Sequence, residues 1–128
     1  MNEINILEVN VLVLAYLGDA IYEEYIRRYL INQKIANVND LQTASLSYVS
    51  AKSQAALLTK LQDNNLLSEE EQNVIKRARN YKTSHHPKNC DILTYKHATA
   101  LEALIGYHGL LKNEERINEI MNYILKGE

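Results

Sequence analysis

Leu14-Ala-Tyr-Leu-Gly-Asp-Ala-Ile-Tyr-Glu-Glu24 is the stretch on which the fold turns. It reads as helix. Leu17, Ile21 and Tyr25 mark one apolar face, and Tyr22, Ile26 and Leu30 mark another. A helix apolar on two sides is central, either within a core or at a subunit contact. Inside this pattern stand Gly18 and Asp19. An interior helical glycine costs about 1 kcal/mol relative to alanine, and close packing is the usual reason to keep one. Asp19 shares a face with Ile26 and Leu30 and lies beside Tyr22. An acid against an apolar stripe is costly unless it meets a cation, a metal or hydrogen-bond donors. Two readings stay open. Either the carboxylate belongs to a site, or Gly18-Asp19 starts a helix with aspartate as its N-cap.

A second stretch, Ala98-Thr-Ala-Leu-Glu-Ala-Leu-Ile-Gly-Tyr107, repeats the oddity. Glu102 shares its helical face with Ala98, Ile105 and Gly109. It reads as a glutamate snorkelling at a boundary or as half of a shared site. Carboxylates gathered in a low-dielectric place repel one another unless a cation lies between them. Such hard oxygen ligands suit Mg²⁺, which takes one or two carboxylates and keeps several waters.

The chain has 128 residues, one domain's worth, so a single domain over 1–128 is expected. Four glycines and one proline build few turns, which favours an all-α fold of long helices. No apolar run approaches the roughly 18 residues of a membrane span. The start, Met-Asn-Glu-Ile-Asn, lacks the basic n-region of a signal peptide. A lone cysteine, Cys90, cannot form an internal disulfide. The expectation is a cytoplasmic protein without membrane contact.

Net charge is −2, which does not announce a nucleic-acid binder. Its distribution says more. Lys76, Arg77, Arg79, Lys82 and Lys88 occur with no acid between them, and His85 and His86 lie among them. Such a segment suits a phosphate-contacting loop, or equally a helix end whose cations favour the C-terminal dipole.

Along the chain, a first helical segment runs from about 5–10 to Leu17, and the next from Asp19 to Gln33. Residues 32–39 read as a loop. Asn39 or Asp40 then caps a long helix over about 41–61, with Lys52 inside it. Its serines, Ser45, Ser47, Ser50 and Ser53, suggest close approach of neighbours. Ser68-Glu-Glu-Glu71 is a capping box opening a helix to about Tyr81. Asp91 or Thr94 starts the Glu102 helix, which ends near Leu111, and Glu114 or Glu115 opens a last helix ending before Gly127. His85, His86, Cys90 and His97 match no standard zinc spacing. Cys90 has no nucleophile context, and there is no phosphate-cradling glycine loop.

Leu17-Gly-Asp-Ala-Ile-Tyr-Glu23 and Glu102-Ala-Leu-Ile-Gly106 resemble the two signature segments of the ribonuclease III catalytic domain. Val49-Ser-Ala-Lys-Ser-Gln-Ala55, Arg77-Ala-Arg-Asn80 and Pro87-Lys-Asn89 make the closer resemblance that to the short bacterial form without a double-stranded-RNA-binding domain, Mini-ribonuclease III. The resemblance spans about Leu14 to Arg116. It implies an all-helical homodimer that cuts double-stranded RNA, leaving 5′-phosphate and 3′-hydroxyl ends. Asp19 and Glu102 match the family's catalytic acids and would hold Mg²⁺, which polarises the scissile phosphate and lowers the pKa of the attacking water. Lys52, Arg77, Arg79, Lys82 and Lys88 are the candidate RNA-binding cations, reading shape and phosphates rather than sequence. The implied substrate is a stem in precursor 23S ribosomal RNA, with a ribosomal protein bound to that substrate as a further candidate partner.

Longer ribonuclease III enzymes carry an acid four residues before the motif aspartate and another three before the helix glutamate. Here those positions are Ala15 and Thr99, a reduction shared with Mini-ribonuclease III. Glu23 and Asp91 are candidate supporting acids. A competing expectation is a non-catalytic duplex-RNA-binding dimer associated with ribosome assembly. A third is a helical metal-dependent nucleotide hydrolase, which the absence of paired Glu-x-x-Glu motifs disfavours.

Overall fold

Our computed structural model describes residues 5–82 and 87–127. After a 3-10 turn at Ile6–Glu8 come six helices: α1 Val11–Asn32, α2 Val38–Val49, α3 Ala51–Asp63, α4 Glu69–Asn80, α5 Ile92–Leu110 and α6 Glu114–Lys126. No strand occurs among the described residues, as the scarcity of turn residues predicts.

The helix at the centre is α5. Ala98 to Leu101, Ala103 to Gly106 and His108 are all buried, and α1, α3, α4 and α6 each pack against it. A helix apolar on every side belongs in the interior. Its most extensive partner is α1, which contributes Leu14, Gly18, Tyr22, Ile26 and Leu30 as a buried stripe.

Gly18-Asp19 does not start a helix. Asn10 is the N-cap of α1, its side chain accepting from the Leu12 N–H at 2.8 Å, and the helix runs unbroken through the glycine. The two segments expected from the sequence are therefore one. The second apolar face of α1 is half-covered within the chain. Leu17 and Ile21 reach over Gly109 of α5, and Tyr25 donates to Asn118 of α6. Open to solvent near the start of α1 is a third set, Leu12, Val13 (53% exposed) and Tyr16 (83% exposed), and near its end Ile31.

The long helix expected over 41–61 is two. Ser50 ends α2 and caps α3, its hydroxyl accepting from the Ser53 N–H at 3.2 Å, while Ser53 Oγ returns to the Leu46 carbonyl at 3.1 Å. Local serine bonds of this kind compete with the helical ladder. The serines thus mark a corner, and the preceding loop is shorter than expected, because Asn37 caps α2.

The capping box at Ser68 forms as predicted, and it does more than cap. Glu71 is 2% exposed. It accepts from the Ser68 N–H and from Arg116 Nε and Nη2, each at 2.8 Å, and pairs with His108 Nε2 at 2.6 Å. Arg116 Nη2 also reaches the Leu66 carbonyl at 2.6 Å. One carboxylate therefore ties α4, α5 and α6 together. Burial opposes its ionisation, but the bonds from Arg116, His108 and Ser68 outweigh burial and hold its pKa well below the usual carboxylate range.

Candidate active site

Gly18 and Gly106 set the crossing of α1 and α5. A Cβ on Gly18 would lie 1.7 Å from the Glu102 carbonyl oxygen, and one on Gly106 the same distance from that of Leu14. Only hydrogen fits at either position, so the two backbones touch. The residue after one glycine is Asp19, and the residue four before the other is Glu102. Close approach of the backbones is what brings their carboxyls together.

Asp19 lies on the exposed edge of the α1 stripe and Glu102 is partly buried beneath it. The face that Asp19 was expected to share with Ile26 and Leu30 divides: Tyr22, Ile26 and Leu30 are buried, while Asp19 beside them is exposed. The Glu102 pKa is raised to about 8, first by burial and then by contact with the Asp19 carboxyl. A hydrogen bond from the Gln54 side chain pulls the other way, and the charge of Glu23 adds to the rise. Tyr22 closes the floor. Its hydroxyl donates to the Tyr48 carbonyl at 2.6 Å, and burial, then the charge of Glu102, push its pKa well above the tyrosine range.

A carboxyl that stays protonated to about pH 8 beside a second one is a place where positive charge is in demand. Mg²⁺ suits such a pair. Among the described residues no three His, Cys, Asp or Glu side chains gather to hold an ion, so the carboxylate set is a reduced one. Ala15 and Thr99 are both buried, and Thr99 Oγ1 donates to the Tyr95 carbonyl at 2.9 Å.

Glu23, one turn after Asp19, pairs with Arg27 at 3.1 Å and adds negative potential at the rim. Asp91 is elsewhere. It caps α5, accepting from Thr94 N–H and Oγ1 at 2.9 Å each, about 16 Å from Glu102 by helical rise. Lys52, Arg79, Lys82 and Lys88 are exposed. Arg77 is half-buried, and its Nη2 donates to the Val9 carbonyl at 2.8 Å, so it anchors the segment leading into α1. His85 and His86 lie outside the described residues. Sequence reading assigned no role to Gln54. Its signal was present: Gln54, Leu58 and Leu61 form the buried stripe of α3, and an amide at an apolar position needs a partner.

Residues 12–113 match the model of the ribonuclease III domain family. A Brevibacillus brevis protein named Mini-ribonuclease 3 is 50% identical over 122 residues, covering 93% of this chain and 90% of its own. The Enterococcus faecalis protein of that name is 44% identical over 119 residues, with the same coverage. A crystal structure of a Fusobacterium nucleatum protein superposes with a TM-score of 0.81 at 43% identity, over 94% of each chain.

Proposed function

The chain belongs to the ribonuclease III family and is an endoribonuclease; from that premise we propose that it is a Mg²⁺-dependent dimer that cuts double-stranded RNA, its substrate a stem of precursor 23S ribosomal RNA. The observation that carries this reading is the meeting of Asp19 and Glu102 across the glycine crossing.

Asp19 and Glu102 would hold the ion, which supplies positive charge to the scissile phosphate and to the attacking water. Asp19, being exposed, meets the substrate side, and Glu102 holds its place from beneath. Tyr22 and Leu14, both fully buried, keep water from reaching Glu102 through the core. Lys52, Arg79, Lys82 and Lys88 supply phosphate contacts that position a duplex without reading its bases. Arg77 contributes through the start of α1 as well as by its charge. Leu12, Val13 and Tyr16 form the apolar strip that a second copy would cover, since exposed apolar patches mark interaction surfaces.

The rival reading is a duplex-binding scaffold without catalysis. It offers no reason to keep two repelling carboxylates together. The deciding experiment incubates the purified protein with duplex RNA and Mg²⁺, and in parallel with nucleoside triphosphates. Cleavage of the duplex into 5′-phosphate fragments with Mg²⁺, and none with EDTA, is expected. Duplex binding without cleavage would establish the scaffold instead.

A further inference from the structure

Tyr22 is fully buried, and its hydroxyl crosses from α1 to α2, where it donates to the Tyr48 carbonyl at 2.6 Å. A buried hydroxyl is costly unless it is bonded. Its acceptor belongs to the last turn of α2, where carbonyls have no partner inside their own helix. Were 41–61 one helix, the Lys52 N–H, four residues on, would fill that place. The chain turns instead at Ser50, extended at φ −65° and ψ 150°, and Tyr22 occupies the acceptor. Tyr29, two turns further along α1, meets the Tyr48 ring edge-on, with centroids 6.1 Å apart. Ser53 closes the other side of the corner on the Leu46 carbonyl at 3.1 Å. The corner is thus held from α1 at two points. From it α3 leaves with Lys52, exposed, as its second residue. Asp19 stands three residues before the donor, and Lys52 four residues after the acceptor.

We propose that Tyr22 is a positioning residue for the reaction: its hydroxyl fixes the α2–α3 corner against α1, and so sets where Lys52 meets the duplex backbone relative to Asp19. The proposal rests on the duplex-cleaving reading above, in which Lys52 contacts a phosphate. A lysine is a point charge on a flexible stem. It places a phosphate only as well as the backbone that carries it is held. Backbone contacts of this kind carry no sequence information; they fix the register and orientation of the nucleic acid. A single hydrogen bond between the helix of Asp19 and the corner of Lys52 ties that register to the site. The competing view is that Tyr22 only fills the core, which phenylalanine would do equally well.

Tyr22→Phe separates the two, because it keeps the ring and removes the hydroxyl. Duplex RNA cleavage with Mg²⁺ is measured against substrate concentration for wild type, Tyr22→Phe, Lys52→Ala and the double variant, with thermal unfolding of each. Positioning requires a folded Tyr22→Phe whose duplex KM rises about threefold or more, the loss falling on KM more than on kcat. It also requires that Tyr22→Phe add little once Lys52 is alanine, since residues acting through one another are non-additive. Should phenylalanine prevent folding, Tyr22→Met supplies the same comparison. A folded Tyr22→Phe with wild-type KM, or one whose rise in KM multiplies with that of Lys52→Ala, would overturn the role of Tyr22 while leaving the nuclease standing. Lys52→Ala with wild-type KM would do the same. A wild-type protein that does not cut duplex RNA would overturn both.

Discussion

Gly18 and Gly106 touch backbone to backbone, each lying where a methyl group would sit 1.7 Å from a carbonyl oxygen of the facing helix. These two glycines account for the closeness of α1 and α5, and through it for the proximity of Asp19 and Glu102.

The first prediction follows from that crossing. Gly18→Ala forces backbone against backbone, and rigid helices have no flexible atom to move aside. We expect a loss of about 3 kcal/mol or more and loss of cleavage. Gly109→Ala is the control. Its Cβ would meet the Ile21 Cδ1 at 2.5 Å, the free end of a side chain that can turn. Its effect should stay within about 1 kcal/mol, the gain in helix propensity offsetting the adjustment. Thermal unfolding of both variants checks this; equal destabilisation would refute the distinction.

Neutralising the acids separates chemistry from stability. Asp19→Asn and Glu102→Gln should each abolish cleavage, and the double variant should be little worse than either, since groups acting as one unit are non-additive. Glu102 also has a stability signature. Its folded pKa of about 8 exceeds the ordinary 4.5. Its contribution is therefore fully present below pH 4.5 and is lost as pH rises through 8. In metal-free buffer, Glu102→Gln should melt higher than wild type at about pH 9 and match it near pH 4. Parallel melting curves at both pH values would contradict the placement of this carboxyl.

The Glu71 cluster runs in the opposite direction. Its pKa is held low, so its stabilisation is present above the ordinary glutamate value of 4.5 and is lost as pH falls below it. Arg116→Ala leaves a buried carboxylate short of its main partner and should cost about 3 kcal/mol at pH 7. That deficit should shrink in denaturant titrations repeated below about pH 4. A deficit independent of pH would mean Arg116 acts by packing alone.

Phosphate binding releases counterions and makes affinity salt-dependent. Arg79→Ala, Lys82→Ala and Lys88→Ala together should weaken duplex RNA binding and reduce the salt slope by about one for each phosphate no longer neutralised, with circular dichroism unchanged. Arg77 is left out because it holds the Val9 carbonyl, and its removal would also loosen α1. Unaltered affinity and slope in the triple variant would remove this segment from the RNA surface.

Tyr16→Asp places a charge in the exposed apolar strip of α1. Wild type should sediment as a dimer at micromolar concentration and the variant as a monomer. A monomeric wild type would leave Leu12, Val13 and Tyr16 without the partner assigned to them.

Periodicity, capping residues and scarce turn formers were enough to establish an all-α chain and the α4 capping box, to narrow the start of α5 to Asp91 or Thr94, of which the structure takes Asp91, and to single out Asp19 and Glu102 as acids beside apolar helical stripes. These are local properties, written in spacing along the chain. Three-dimensional packing decided the rest. That Gly18 continues a helix instead of starting one depends on a carbonyl of α5, far away in sequence. That Ser50 is a corner depends on whether the local serine bonds or a continued helical ladder wins, a choice that spacing alone does not make. Asp19 and Glu102 come together, and Asp91 stays apart from them, because helices separated in sequence converge at one crossing. A carboxylate shows its charge in the sequence, but its partners and its pKa are set by what the fold brings against it.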